Sequence, residues 1–200
     1  MFVYHTNNYP IVISEKHNFP NTKYQDLYQR VRDKLGAYIE LVEAPAASID
    51  DLCNAHESTY VDKVLNGCFS RKEERELGLP WTQSLVIRAK HSVGGTVAAL
   101  SRAIGYEGIA VNLGGGAHHA KSARAAGFCL FNDVAVAALK IHNERPLDRI
   151  LVVDCDVHQG DGTAEILDSY PTIFTFSIHA TRNYPSKKIA SDFDISLPDE

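Results

Sequence analysis

Between Ile109 and His179, short apolar runs alternate with amphipathic stretches: IAVNL, DVAVAALKIH, RILVVD, GTAEILD and TIFTFSIH. The β-branched and aliphatic runs predict strands, and the stretches with apolar residues every third or fourth position predict helices. Strands apolar on both faces, alternating with helices, predict a parallel sheet covered on both sides. Such sheets take their ligands beyond the carboxyl ends of the strands. The first half is less regular. FVY (Phe2–Tyr4) predicts a strand, and Tyr24, Leu27, Tyr28, Val31 and Leu35 fall on one helical face, with Asn21 as cap and Gly36 as stop. YIELVEAP predicts a second strand closed by Pro45, and Ser48 to Asp51 reads as a capping box opening a short helix. Ser58 opens another helix, which Gly67 ends.

The segment SRKEERELGLPW is charged and reads as solvated surface. A long amphipathic helix is predicted from Thr82 to Ile104, and Gly94-Gly95 interrupts it. Glycine inside a helix costs about 1 kcal/mol, so the pair predicts a close helix crossing. No repeat, low-complexity segment or linker divides the chain. Residues 1–200 therefore read as a single α/β domain.

Composition narrows the function classes. The 200 residues are 44% hydrophobic and 22% charged, with a formal net charge of −5. No Lys/Arg stripe supports direct nucleic-acid binding. The four cysteines, Cys53, Cys68, Cys129 and Cys155, form no CxxC pair, which fits reduced thiols in a cytoplasmic chain. Cys129 and Cys155 read as small buried packing residues. The N-terminus lacks a secretory pattern and no apolar run is long enough for a membrane span. Oligomeric state is left open.

Two segments carry chemistry. In DCDVH, Asp154, Asp156 and His158 stand at alternate positions, so an extended chain points them the same way. They follow Ile150–Val153, which should be buried, and two carboxylates converging there need a cation. Asp and His together are ligand types for zinc or ferrous iron. In GGGAHHA, His118 and His119 leave a strand end through three glycines. Imidazoles placed near carboxylates acquire a fixed tautomer, as general acid–base work requires.

Taken together, GGGAHHA, GFCLFNDVAVAA, ILVVDCDVHQGDGTAEI and IFTFSIHATRNYP resemble the histone deacetylase superfamily. Upstream, HNFPNTKYQDL, AHESTYVDKVLNG and LGLPWTQSLVIRAKHSVGGT are similar to its class IV branch and bacterial relatives. The resemblance implies an arginase/deacetylase-like three-layer α/β/α fold with a mainly parallel sheet. It implies that Asp156 and His158 are two of three zinc ligands, and that His118 and His119 are the base and acid pair. By the same resemblance Asp154 orients His118 and Asp161 orients His119, with His119 the base. Gly127 and Phe128 would line an acyl-lysine tunnel, with Tyr184 on the opposite wall where the family commonly has Phe. Ser177 and the carbonyl of Ile178 would share a structural potassium or sodium site with Asp154, Asp156 and His158.

What the resemblance implies chemically is hydrolysis of an acylated lysine or small acylated amine by zinc-activated water. The family's third zinc ligand, an Asp, and its transition-state tyrosine are expected beyond Glu200; Asp192, Asp194 and Asp199 belong to the segment before that ligand. Residues 1–200 alone are therefore expected to bind zinc weakly, to deacylate below detection and to self-associate through an uncovered strand. Two other readings stand beside this one. A deacetylase-like binding or scaffold protein needs no turnover. A ureohydrolase with a binuclear manganese site would carry D-x-H-x-D, whereas DCDVH has the other order.

Overall fold

The computed structural model describes residues 1–14, 17, 19–20, 22–106, 108–146 and 149–198. Asn21, read above as a helix cap, and Asp199 lie outside the described residues. The chain opens with strand β1 (Phe2–His5), helix α1 (Lys23–Leu35) and strand β2 (Glu40–Glu43). Helices α2 (Ile49–Leu52), α3 (Ser58–Asn66), α4 (Arg71–Leu77) and α5 (Gln83–Gly105) follow. The alternating half comprises β3 (Ala110–Asn112), α6 (Asp133–Glu144), β4 (Ile150–Asp154), α7 (Asp161–Leu167), β5 (Ile173–Ala180) and β6 (Phe193–Leu197).

All described strand pairings are parallel, as the alternation of apolar runs and helices requires. They form two three-stranded sheets, ordered β2-β1-β3 and β4-β5-β6, rather than one. The histidine-bearing strand β3 and the carboxylate-bearing strand β4 thus belong to different sheets, contrary to the expectation of a shared one. Strand β4 is also not buried on both faces. Ile150 and Val152 pack on the core, but Leu151 is 63% and Val153 56% exposed. As an edge strand it has one face on the core, and the other face continues through Phe174 opposite Leu151. Leu151, Val153 and Phe174 thus form an exposed apolar sheet face.

The core gathers Leu52, Val61, Val64, Leu77, Val86, Val93, Phe131, Val136, Leu139 and Leu167 around the helices. Each fully buried aliphatic or aromatic side chain contributes about 1.5–3 kcal/mol. The charged segment read as bare surface is helix α4. Ser70 and Glu73 close a capping box at its start, Gly78 (φ 76°) ends it, and Leu77 anchors it in the core. The capping box at Ser48 and Asp51 is present as read.

Gly94 and Gly95 admit a connection and a strand, not another helix. A Cβ on Gly94 would overlap the carbonyl oxygen of Pro45, and one on Gly95 would press into the Asn112 side chain of β3. Gly94→Ala should therefore destabilise the protein by about 1–3 kcal/mol through overpacking, against the helix-propensity gain of about 1 kcal/mol. Urea unfolding midpoints of the two proteins measure the difference.

Candidate active site

The chain leaves β3 through Gly114–Gly116 and turns at once into His118 and His119, both buried. Gly116 sits at φ 91°, a conformation open to glycine at little cost. His118 Nδ1 lies 2.6 Å from Asp154 Oδ2, and His119 Nδ1 lies 2.7 Å from Asp161 Oδ1. A carboxylate only accepts, so each Nδ1 carries the donated hydrogen and each Nε2 is left for other partners. The two rings stand 4.1 Å apart. Lys121, also buried, takes the second oxygen of Asp161 at 3.1 Å and Glu165 at 3.2 Å.

The two histidines differ electrostatically. Burial lowers the pKa of His118, but the Asp154 hydrogen bond and the charges of Asp154, Asp156 and Asp161 more than reverse this, for a net rise. Burial also dominates at His119; its hydrogen bond to Asp161 does not compensate, and the neighbouring His118 and His158 add to a net fall. Asp161 would be raised by burial, yet hydrogen bonds from His119 and Lys121 carry it below the usual carboxylate range.

Strand β4 ends at Asp154, and the chain beyond it bends rather than continuing extended. Asp154 Oδ1 accepts from the Asp156 amide at 2.9 Å, and Asp156 Oδ1 accepts from the His158 amide at 2.8 Å. These turns bring Asp154, Asp156 and His158 together in place of strand alternation, and they leave Cys155 exposed, not buried as expected; Cys129 is buried. Asp156 Oδ1 and His158 Nδ1 are 3.0 Å apart and line one cavity with His118 and His119. Oxygen and nitrogen donors of this kind suit zinc, which takes at least three protein ligands in catalytic sites. Among the described residues no group of three or more His, Cys, Asp or Glu is arranged to hold a metal. The donors fit in kind and stop at two. Asp192 is engaged by Thr175, and Asp194 by Gln159 and the Ser191 amide.

Gly127 (φ 53°) and Phe128 (φ 67°) both adopt left-handed backbone, and a Cβ on Gly127 would enter the His119 ring. Phe128 and Tyr184 are each partly exposed, and the Tyr184 ring meets His119 edge-on at 4.7 Å. Helix α4 places Phe128. The Leu77 carbonyl accepts from its amide at 2.7 Å, and Gly78 lies so close that a Cβ there would strike the Phe128 ring. Ser177 stands opposite Asp154 in the parallel register of β4 and β5, and Ile178 follows it. Lys121, helix α4 and Gln159, whose amide bonds both backbone groups of Ile189, went unread in the sequence. The signal for α4 was S-x-x-E before Leu77 and Gly78; for the other two the sequence offered none.

Behind the histidines, His56 Nδ1 donates to the Lys121 carbonyl at 2.9 Å while its Nε2 accepts the Asn132 amide at 2.9 Å. Those bonds require a neutral ring, and burial lowers its pKa to about 4.

Parallel sheets carrying paired histidines and carboxylates at their carboxyl ends are what the resemblance to an arginase/deacetylase-like α/β fold led one to expect, and solved structures share that fold. The structure superposes on an HDAC homologue from Aquifex aeolicus with a TM-score of 0.80, over 98% of this chain and 59% of that one, at 21% identity. A second structure, of an HDAC homologue complexed with SAHA, gives 0.78 over 100% and 59%, also at 21% identity. The histone deacetylase domain model matches residues 17–195, and the chain belongs to that family. It is 40% identical over 200 residues to an uncharacterized protein of a Picosynechococcus strain, covering 98% of this chain and 65% of that protein. The acetoin utilization protein AcuC of Bacillus subtilis is 30% identical over 195 residues, 92% of this chain and 50% of that protein. The chain thus spans between half and two thirds of these relatives' lengths. No described helix is long and apolar enough to cross a membrane.

The depressed pKa of His56 has a consequence for stability. Between about pH 6.5 and pH 4 the unfolded chain binds a proton at His56 that the folded protein refuses. Stability from this group is complete above pH 6.5 and falls with pH through that window, by up to about 3 kcal/mol. Urea unfolding at pH 7, 5.5 and 4.5 should show the decline, and His56→Leu, though less stable at pH 7, should show a shallower one.

Proposed function

We propose that the protein removes acyl groups from lysine side chains or small acylated amines by metal-dependent amide hydrolysis. The observation that carries this reading is the pair of histidine–carboxylate hydrogen bonds, 2.6 and 2.7 Å long, beside Asp156 and His158 in one cavity. Asp156 and His158 would hold the ion, zinc or alternatively ferrous iron. When bound, such an ion polarises the amide carbonyl and acidifies water. The remaining steps belong to the chain. His119, fixed by Asp161 with Nε2 free, takes the proton of the attacking water. His118, whose proton Asp154 favours, gives one to the leaving nitrogen as the carbon–nitrogen bond breaks. Gly127, Phe128 and Tyr184 guide the acyl-lysine stem past His119. Ser177 and Ile178 supply oxygen ligands for a structural potassium or sodium ion together with Asp154, Asp156 and His158. Family membership and the likeness to AcuC support the reaction class. The SAHA complex of the structural neighbour supports an extended acyl-lysine-like ligand.

Elemental analysis of metal-loaded protein should find the ion lost in Asp156→Ala; unchanged content there would overturn the ligand assignment. In a form of the protein that hydrolyses an acetyl-lysine reporter, His119→Ala should lower kcat by about two to four orders of magnitude. Asp161→Asn should cost about 10–100-fold. Near wild-type turnover in His119→Ala removes it as the base. Metal-loaded full-length gene product that turns over no N-acyl amine refutes the hydrolase reading.

A further inference from the structure

An open cleft on the far side of Tyr184 carries cations that the acid–base machinery does not use. Its volume is 590 Å³, and its walls include Arg75 and Glu76 of α4, Arg124, and Lys187. Tyr184 is common to the cleft and the candidate tunnel. Its ring meets His119 edge-on at 4.7 Å, and a Cβ on Gly127 would stand 3.0 Å from its Cε1. The Gly127 amide donates to the Glu76 carbonyl at 3.3 Å, so the cleft wall is bonded to the tunnel glycine. Lys188 secures the loop that carries Tyr184 and Lys187. Its ammonium donates to the carbonyls of Asn183 at 2.6 Å and Pro185 at 2.8 Å.

The charges of the cleft divide unevenly. Buried Lys121 holds Asp161 at 3.1 Å and Glu165 at 3.2 Å, and Lys72, from outside the cleft, stands 3.8 Å from Glu76. Each carboxylate that lines the cleft therefore has a lysine partner. Arg75, Arg124 and Lys187 are exposed, and among the described residues none of them forms an ion pair. Arg75 donates only through Nε, to the Arg71 carbonyl at 3.1 Å, which leaves the rest of its guanidinium open. The chain has a formal net charge of −5, so three unpaired cations around one cleft run against its overall sign.

We propose that this cleft receives Asp or Glu side chains flanking the acyl-lysine of a polypeptide substrate. The proposal rests on the hydrolase reading for the acyl-lysine itself and narrows the substrate to acidic protein segments. An acyl-lysine that passes Tyr184 leaves its backbone at the mouth, beside the cleft. Extended residues advance about 3.3 Å each, so the next few residues on the Tyr184 side lie over Arg124 and Lys187. Small-ligand pockets span about 300–1,000 Å³, and this cleft has room for one or two side chains. Asp161 and Glu165 at its base disfavour a deeply inserted anion, which keeps the guest carboxylates at the rim among the three cations. Pairing there is screened by solvent, so each contact contributes up to about fivefold in affinity, and several together about tenfold. Such contacts hold substrate and transition state alike and therefore act on KM rather than kcat.

Labelled peptides with a central acetyl-lysine and flanks of Glu, Gln or Lys test the proposal on the whole protein. Binding is read by fluorescence anisotropy in the presence of a chelator, apart from turnover. At low salt the Glu peptide should bind about tenfold more tightly than the Gln peptide, and the Lys peptide more weakly than either. Salt at about 0.5 M should remove most of the difference. Arg124→Gln combined with Lys187→Gln should bring the Glu-to-Gln ratio below about threefold. Arg124→Glu combined with Lys187→Glu should reverse the order in favour of the Lys peptide, a result that damaged folding cannot produce. Equal binding of the three peptides by the wild-type protein overturns the proposal, and so does a Glu preference that the charge-reversed pair leaves unchanged. In catalytically competent protein, Glu flanks should lower KM about tenfold with kcat within about twofold; a preference carried by kcat alone refutes recognition at the rim. Charge-dependent binding of the Glu peptide, with no hydrolysis by metal-loaded full-length protein, sinks the hydrolase reading and leaves the acidic-peptide site intact.

Discussion

The tandem histidines hang on two side chains at the start of α6. Asn132, fully buried, donates through Nδ2 to the Ala120 carbonyl at 3.1 Å and Thr163 Oγ1 at 3.0 Å, with the His118 carbonyl at 3.4 Å. Its Oδ1 caps α6 by accepting from the Ala135 amide. Asp133 accepts from the amides of Gly116 and Ala117 and from the Thr96 hydroxyl. Backbone on both sides of His118 and His119 is thereby bonded to one helix end. Leaving any such buried group unpaired costs about 1–3 kcal/mol, which is why so irregular a loop holds one conformation.

That attachment matters because the site spans two sheets. Strand β3 delivers the histidines and β4 the carboxylates, and β3 and β4 are not hydrogen-bonded to one another. What couples them is the packing of α7 against the histidine loop. The Thr163 amide donates to the His118 carbonyl at 3.1 Å, and Gly162 lies so near Ala120 and His119 that a Cβ there would overlap their backbone. The same α7 presents Asp161 to His119. Helix α6 therefore fixes the loop, α7 fixes its carboxylate, and the spacing of the two hydrogen-bonded pairs follows from how these helices pack.

Much of this was legible in the sequence. The elements from β3 to β5 follow from apolar runs and helical periods bounded by turn residues. The spacing of Asp154, Asp156 and His158 and the adjacency of His118 and His119 located the chemistry at strand ends. What the sequence hid depends on packing between distant segments. Strand β6 alternates strictly, with Phe193, Ile195 and Leu197 against Asp194 and Ser196, but at five residues among acidic neighbours it goes unread. Helix α4 has a single buried residue, so its charges masked its capping signals. That β4 exposes Leu151 and Val153 is a matter of which strands flank it, which no local pattern states. Lys121 and Arg88 look like ordinary surface cations until burial is known; only the fold places one on Asp161 and the other against Tyr24.

Two identical, adjacent side chains have been made different by their surroundings. His118 shares Asp154 only with the neutral Asp156 amide, and Asp156 stands 4.0 Å from its Nε2, so negative charge lies on both sides of the ring. His119 shares Asp161 with Lys121, whose ammonium neutralises part of the charge that would otherwise favour a proton on the imidazole. It also faces His118 and His158, and a proton on either opposes its own. Burial opposes the proton on both rings; at His118 the carboxylates outweigh it and the pKa rises, whereas at His119 burial wins, helped by His118 and His158, and the pKa falls. A pair with separated proton affinities can hold one proton to give and one vacancy to fill, which is the division of labour amide hydrolysis needs. Lys121 is thus more than a buried ion-pair partner. It draws on the same carboxylate that fixes the orientation of the His119 ring, so two cationic side chains converge on one buried acid.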